Sequence, residues 1–350
     1  MSQPIPDSLG AWMDFYREVA VQGVRSEAVT EKVRLHLQRF QQFFEQRYGQ
    51  ERLSSWIKRD SLAWQQSLEV QGLAPATINN HIASLSAFGT WLQAHQPHLL
   101  TMGDPTKGIS ELSLAPLEPR SLTEVQVQSL KNLCDRLLPL YRVKGRQWSK
   151  MQGEIPLRAT SRPWRDRAIV FVLLSTGLRR EELVQLDLNQ LSPNRTDELR
   201  QARRARIQHV RGKGKTQRAV FLSQDARQAL ADYLEKEHPQ DAFGLENPPL
   251  FLSAIEVASR QADGRLAPRS INNILEQIGR WHDAEIADKA RHISPLRPHD
   301  LRHTFAFLLA KVTGADAFEL ERRLGHRSQR YIQRYTNPPE EVAANYIEAF

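Results

Sequence analysis

Two histidine-containing clusters, a tyrosine and an upstream arginine carry the chemistry open to this chain. His299-Asp300-Leu301-Arg302-His303 is followed by Leu324-Gly325-His326 and, nine residues beyond that histidine, by Tyr335. Upstream, Thr176-Gly177-Leu178-Arg179 is trailed by Glu182. The set supplies guanidinium groups, imidazoles and a phenol, which suits attack on a phosphodiester without a metal. Charge builds on phosphate oxygens in the transition state, and preorganised arginines stabilise it. A phenol can accept the phosphoryl group as a covalent ester.

His299 and Arg302 stand three apart on an expected helix and so project from one face, with Leu301, Phe305, Leu308 and Val312 expected on the buried side. Alone, such a pair reads as a solvated polar stripe. His299 and His303, four apart, could form half of a zinc site, but no acidic or cysteine partner sits at suitable spacing, so no metal is expected. Arg179 follows a helix cap, where a tight turn can aim a side chain into a cleft, and Glu182 could hold a neighbour through charge-assisted hydrogen bonds. Lys213 lies in Gly212-Lys213-Gly214-Lys215, where the glycines allow close approach to a ligand. It could protonate an alkoxide leaving group, although an isolated turn of this composition also reads as a solvated loop. Tyr335 would have to react although an unperturbed phenol has a pKa of about 10, and nearby arginines would favour its phenolate. Tyr331, one helical turn earlier on the same expected face, is an equal candidate on these grounds.

The elements that must position these groups are mostly helical. Val33, Leu37, Phe40 and Phe44 share one helical face, and Ile78, Ile82, Leu85, Phe88 and Leu92 repeat the pattern behind Pro75, a first-turn proline. Shorter helices near 8–21 and 59–70 complete a small bundle. Pro97, Gly103-Asp104-Pro105 and the prolines from 116 to 119 break the periodicity and mark a linker. Thr123 with Gln126 signals a capped helix through about Leu138. Residues 142–164 are basic and aperiodic, either a DNA-facing loop or a mobile insertion. A buried helix covers Asp166–Thr176, with Gly177 suited to its left-handed cap. Ile207–Val210 and Ala219–Leu222 form a hairpin, followed by a helix from Ser223 to about Lys236 and others near 268–282, 297–313, 316–324 and 328–336. Beyond Pro338-Pro339 a short amphipathic helix, 339–350, either docks on a neighbouring protomer or packs on its own domain. The fold class expected is mainly α with a small antiparallel β-sheet, in domains 1–110 and 121–350 joined by a linker, 111–120.

With 350 residues, 40% of them hydrophobic and 25% charged, the composition is that of an ordinary folded protein. No apolar run approaches the roughly 20 residues a membrane span needs, and the N-terminus lacks a secretory pattern. One cysteine, Cys134, excludes an internal disulfide and reads as a small core residue. The net charge of +8 is uneven: residues 1–116 hold 10 Lys and Arg against 11 Asp and Glu, and the other 234 hold 38 against 29. An excess of this kind fits a polyanion partner as well as a solvated surface.

Taken in order, TGLR, GKG, HDLRH, LGH and the tyrosine nine residues later resemble the tyrosine recombinase (phage-integrase) family, and more loosely the Xer recombinases within it. Gln71 to Asn79, Gln-Gly-Leu-Ala-Pro-Ala-Thr-Ile-Asn, is typical of that family's helical, SAM-like core-binding domain, and Ser121-Leu122-Thr123 of the start of its catalytic domain. The resemblance implies that Arg179 and Arg302 clamp the scissile phosphate, that His299 and His326 bond its oxygens and assist proton transfer, that Lys213 protonates the departing 5′ oxygen, and that Glu182, with His303, supports the pocket. It selects Tyr335 over Tyr331 as the nucleophile of a 3′-phosphotyrosyl intermediate. Two departures stand out: Glu181 replaces a residue usually serine, and Arg330-Tyr331 replace small hydroxyl residues.

The same resemblance implies no cofactor, double-stranded DNA recombination sites as substrate, a duplex clamped between the two domains, and four protomers acting through a four-way junction. It also implies a bacterial, cytoplasmic, nucleoid-associated setting, with an accessory DNA-bending protein or a second recombinase as a further partner and no membrane. Two alternatives share these residues: a type IB topoisomerase, and a catalytically silent DNA-binding accessory protein.

Overall fold

The computed structural model describes residues 7–114, 120–142, 157–212, 216–314 and 316–325. Contacts divide the chain into two units, with the boundary after Leu117. The first unit is helical: α1 (Leu9–Tyr16), α2 (Glu27–Tyr48), α3 (Lys58–Val70) and α4 (Pro75–His95), with a π-helical turn over Arg17–Val21 extending α1. Its core forms where the periodic faces meet. Leu37, Phe40 and Phe44 of α2 and Ile78, Leu85, Phe88 and Leu92 of α4 are buried together with Trp56 and Trp64. Pro75 occupies the first turn of α4.

The second unit holds α5 (Glu124–Cys134), α6 (Leu137–Arg142), α7 (Pro163–Thr176), α8 (Arg180–Val184), β1 (Leu191–Ser192), α9 (Thr196–Gln201), β2 (Ala205–Arg211), β3 (Gln217–Leu222), α10 (Gln224–Lys236), α11 (His238–Asp241), α12 (Pro268–Glu285), α13 (Pro298–Thr313) and α14 (Ala317–Leu324). The chain is therefore mainly α with one small antiparallel sheet, in the order β1-β2-β3. Ile207 pairs with Val220 and Ala205 with Leu222; the register shifts between Ile207 and Val210, where His209 takes φ 53°. That bulge adds a residue to β2 just before the hairpin tip.

Several expectations are met in detail. Thr123 and Gln126 form the reciprocal capping pair: the Thr123 hydroxyl accepts from the Gln126 amide at 3.2 Å, and Gln126 Oε1 accepts from the Thr123 amide at 2.9 Å. Cys134 is buried, and desolvation pushes its thiol far above the usual range. Three details differ. The helix expected through Leu138 stops at Cys134 and restarts at Leu137. A third strand, β1, joins the hairpin. On α13, Val312 is 85% exposed whereas Arg302 is 3% exposed, so the arginine and not the valine is the buried side chain. No helix among the described residues is long and apolar enough to cross a membrane.

Candidate active site

Arg179 is placed by the end of a buried helix. Nearly every side chain of α7 is enclosed, and Gly177 ends it in the left-handed region at φ 60°. A Cβ there would lie 2.3 Å from Phe305 Cδ1, so the glycine also lets α13 approach. Leu178 then turns inward, fully buried, and Arg179 becomes the N-cap of α8. Glu182, one turn on and 5% exposed, accepts from the Arg179 amide at 2.8 Å and from Arg179 Nη1 at 2.9 Å. Burial works to raise the Glu182 carboxyl pKa, but the Arg218 and Arg179 guanidiniums hold it below the usual range. It is thus a permanent anion between two cations.

Arg302 rises from the first turns of α13 toward the interior. Nη1 donates to Gly177 O at 2.5 Å and Nη2 to Leu324 O at 2.7 Å, so one planar fork joins the ends of α7 and α14. The other members of the motif explain why α13 starts here. Pro298 takes the first turn, and Asp300 Oδ2 accepts from the Arg297 amide at 2.9 Å. Thr304 Oγ1 donates to Asp300 O at 2.7 Å and accepts from the Leu122 amide at 2.9 Å. Arg120 donates to Ile293 O at 2.6 Å and Pro295 O at 2.9 Å, fixing the loop that leads into α13.

The arginines converge on the last turn of α14. The final carbonyls of a helix lack intrahelical partners and carry its negative dipole end. Here Arg323 O accepts from Arg218 Nε at 3.0 Å, Leu324 O from Arg302, and Gly325 O from Arg179 Nη2 at 3.5 Å. Gly325 takes φ 62°, and a Cβ on it would lie 2.9 Å from Arg218 Nη1. Three consecutive carbonyls thus receive guanidiniums from β3, α13 and the start of α8.

His299 opens on a cleft of about 430 Å³ that is also lined by Arg180, Asn272, Glu276, Arg297 and Pro298. Its ring centroid is 6.3 Å from that of His303. Partial burial, reinforced by Arg302, lowers the His299 pKa; Glu181 opposes that shift, and Arg179 and Arg180 add to it. A neutral ring at pH 7 can both donate and accept. Glu181 itself pairs with Arg180 at 2.5 Å, and despite its partial burial that pairing keeps it ionised.

Arg179, Glu182 and Arg302 are therefore brought to one place, with His299 and His303 on the adjoining face of α13. Lys213, His326 and Tyr335 lie outside the described residues, as do Tyr331, most of the basic segment 142–164, and the helices expected over 328–336 and 339–350. One group in this network was not singled out from the sequence: Arg218. The available signal was parity. On β3 it shares the inward side with Val220 and Leu222, both buried, a position where a charge needs a partner.

Residues 149–341 match the family model described as the phage integrase family. The chain is 26% identical over 324 residues to tyrosine recombinase XerC of Bifidobacterium longum (strain DJO10A), covering 84% of each. It is 28% identical over 302 residues to XerC of Herpetosiphon aurantiacus, covering 84% of this chain and 81% of that one. In fold it is similar to the Tn1549 transposon integrase in complex with circular intermediate DNA, at TM-score 0.66 and 19% identity over 97% of this chain and 99% of that chain. It is likewise similar to the XerH site-specific recombinase bound to palindromic difH substrate, at TM-score 0.64, 19% identity, and 97% and 84% coverage. The family match covers more than half of the chain, and with it the chain belongs to the phage integrase family, the tyrosine recombinases.

Proposed function

We propose that this tyrosine recombinase cuts and rejoins double-stranded DNA at specific sites through a covalent 3′-phosphotyrosyl intermediate. Arg179 and Arg302 clamp the scissile phosphate and stabilise the charge that its oxygens gain. Tyr335 Oη attacks phosphorus, the bond to the 5′ oxygen breaks, and Lys213 supplies the proton that the departing oxygen takes up. His299 and His326 bond the non-bridging oxygens and move protons, while Glu182 and His303 support the pocket. Rejoining reverses the step, with a 5′ hydroxyl of a second strand attacking the phosphotyrosine, so the energy of the phosphodiester is conserved. Four protomers on two synapsed duplexes, passing through a four-way junction, complete the exchange. The setting is the bacterial cytoplasm, on mobile-element or replicon DNA.

The observation that carries this reading is the meeting of Arg179 and Arg302 at the end of α14, one and two residues ahead of His326. A nicked suicide oligonucleotide tests it. Wild type should leave a trypsin-resistant nucleotide remnant on the peptide containing Tyr335, without magnesium, and Tyr335→Phe should bind DNA yet form no adduct. A remnant on any other peptide overturns the proposal.

A further inference from the structure

We propose that Arg218 is a positioning residue for this reaction, because it keeps Glu182 from neutralising Arg179; the inference rests on the recombinase reading above. Glu182 is 5% exposed and Arg218 10% exposed. Arg218 grips both carboxylate oxygens, Nη1 to Oε1 at 2.9 Å and Nη2 to Oε2 at 2.7 Å, while its Nε donates to Arg323 O at 3.0 Å. The Arg179 guanidinium reaches the same carboxylate with Nη1, at 2.9 Å, beside the bond from the Arg179 amide at 2.8 Å.

The consequence is one of charge. With one buried anion shared between two guanidiniums, the group of Arg179, Arg218, Arg302 and Glu182 carries two positive charges. Without Arg218, Glu182 would pair with Arg179 only, and the cluster would fall to one. Electrostatic stabilisation of a phosphoryl transition state depends on the cationic charge held in place before reaction. The bidentate Arg218 fork also leaves Glu182 no freedom to swing toward Arg179 Nη2, the nitrogen that now faces Gly325 O. A third effect is positional. Arg218 lies five residues after Lys213 in the chain, and the carbonyl it holds lies three residues before His326. One side chain therefore ties β3 to the last turn of α14.

The test compares Arg218→Met, similar in length but neutral, with Arg218→Lys, which keeps the charge. Single-turnover adduct formation on a suicide substrate and the dissociation constant for the same DNA are measured side by side. Arg218→Met should slow adduct formation by about 100-fold, the size of losing one transition-state donor, because Glu182 then neutralises Arg179, and shift the dissociation constant less than about threefold, since Arg218 spends its donors on Glu182 and Arg323 O. Arg218→Lys should stay within about tenfold of wild type, because charge is kept while fork geometry is lost. Equal slowing by Met and Lys, an unchanged rate in Met, or a loss confined to binding would overturn the proposal. Should Arg218→Met not fold, the Lys variant decides alone: a hundredfold loss there refutes the charge argument. Absence of any adduct from wild type would instead refute the recombinase reading.

Discussion

The two units solve the same packing problem with different chemistry. The N-terminal unit is held by rings. Phe40 meets Trp64 at 5.0 Å and Trp56 at 5.4 Å, and Trp56 stacks on Phe88 at 5.8 Å. The C-terminal unit buries ion pairs within its apolar core: Arg162 on Asp241, with side chains 4% and 0% exposed, Arg165 on Asp166, and Arg218 on Glu182. Ring contacts are weakly directional and tolerate small shifts. A buried guanidinium–carboxylate pair fails when either partner leaves, yet it fixes orientation. The unit that holds Arg179 and Arg302 is the one that buries guanidinium–carboxylate pairs.

The sharpest way to break this contrast is Arg162→Met. It leaves Asp241 buried against Ile255 N with no cation and should cost about 3–5 kcal/mol in urea unfolding. A loss below about 1 kcal/mol would mean that the pair is decorative.

A second test uses pH, for one buried group in each unit should respond in opposite directions. Burial, with His81 and Lys32 nearby, lowers His36 to about 4, whereas an unfolded histidine titrates near 6.5. The unfolded state then binds more protons, so this contribution is complete above 6.5 and lost as pH falls toward 4. In the C-terminal unit burial raises Glu237 to about 7 against hydrogen bonds from the Arg165 and Trp164 amides. There the folded state holds the extra proton, and its contribution is complete below about 4.5 and lost as pH rises through 7. Each effect should be on the order of 2 kcal/mol. Unfolding of wild type and variants across pH checks it: His36→Gln should remove a contribution that rises with pH and Glu237→Gln one that falls, and changes of one sign would contradict the scheme.

The smallest expected effect is Phe40→Leu. The side chain is fully buried, but neighbouring rings can close on the vacated edge, so about 1–2 kcal/mol should be lost in thermal or urea melts. A loss matching that of Arg162→Met would erase the distinction.

What could be read beforehand follows the same divide. Helical faces such as Leu37-Phe40-Phe44 carry their period in the chain, so the first unit was legible nearly throughout. Arg179, Glu182 and Arg302 were legible as residue types in motifs. Their partners were not. Arg302 donates to two backbone carbonyls, Gly177 O and Leu324 O, which every residue possesses. Arg162 and Asp241 stand 79 residues apart and leave no local pattern. Arg218 became conspicuous only once its strand had a known inward side. β1 has two residues, too few for alternation to show, and the proline that marks the break after Cys134 is Pro139, which stands inside the restarted helix and not at Asp135-Arg136.

The grip of Arg120 on the carbonyls of Ile293, Ser294 and Pro295 has a mechanical consequence. The chain entering the second unit is held at that side chain to the segment feeding His299, ahead of the helix that follows Thr123. Residues inserted ahead of position 120 should leave His299 undisturbed, while the same insertion between Arg120 and Leu122 would set the anchor against the bond from Leu122 to Thr304. Position 120 is thus a defined point ahead of which slack may be added.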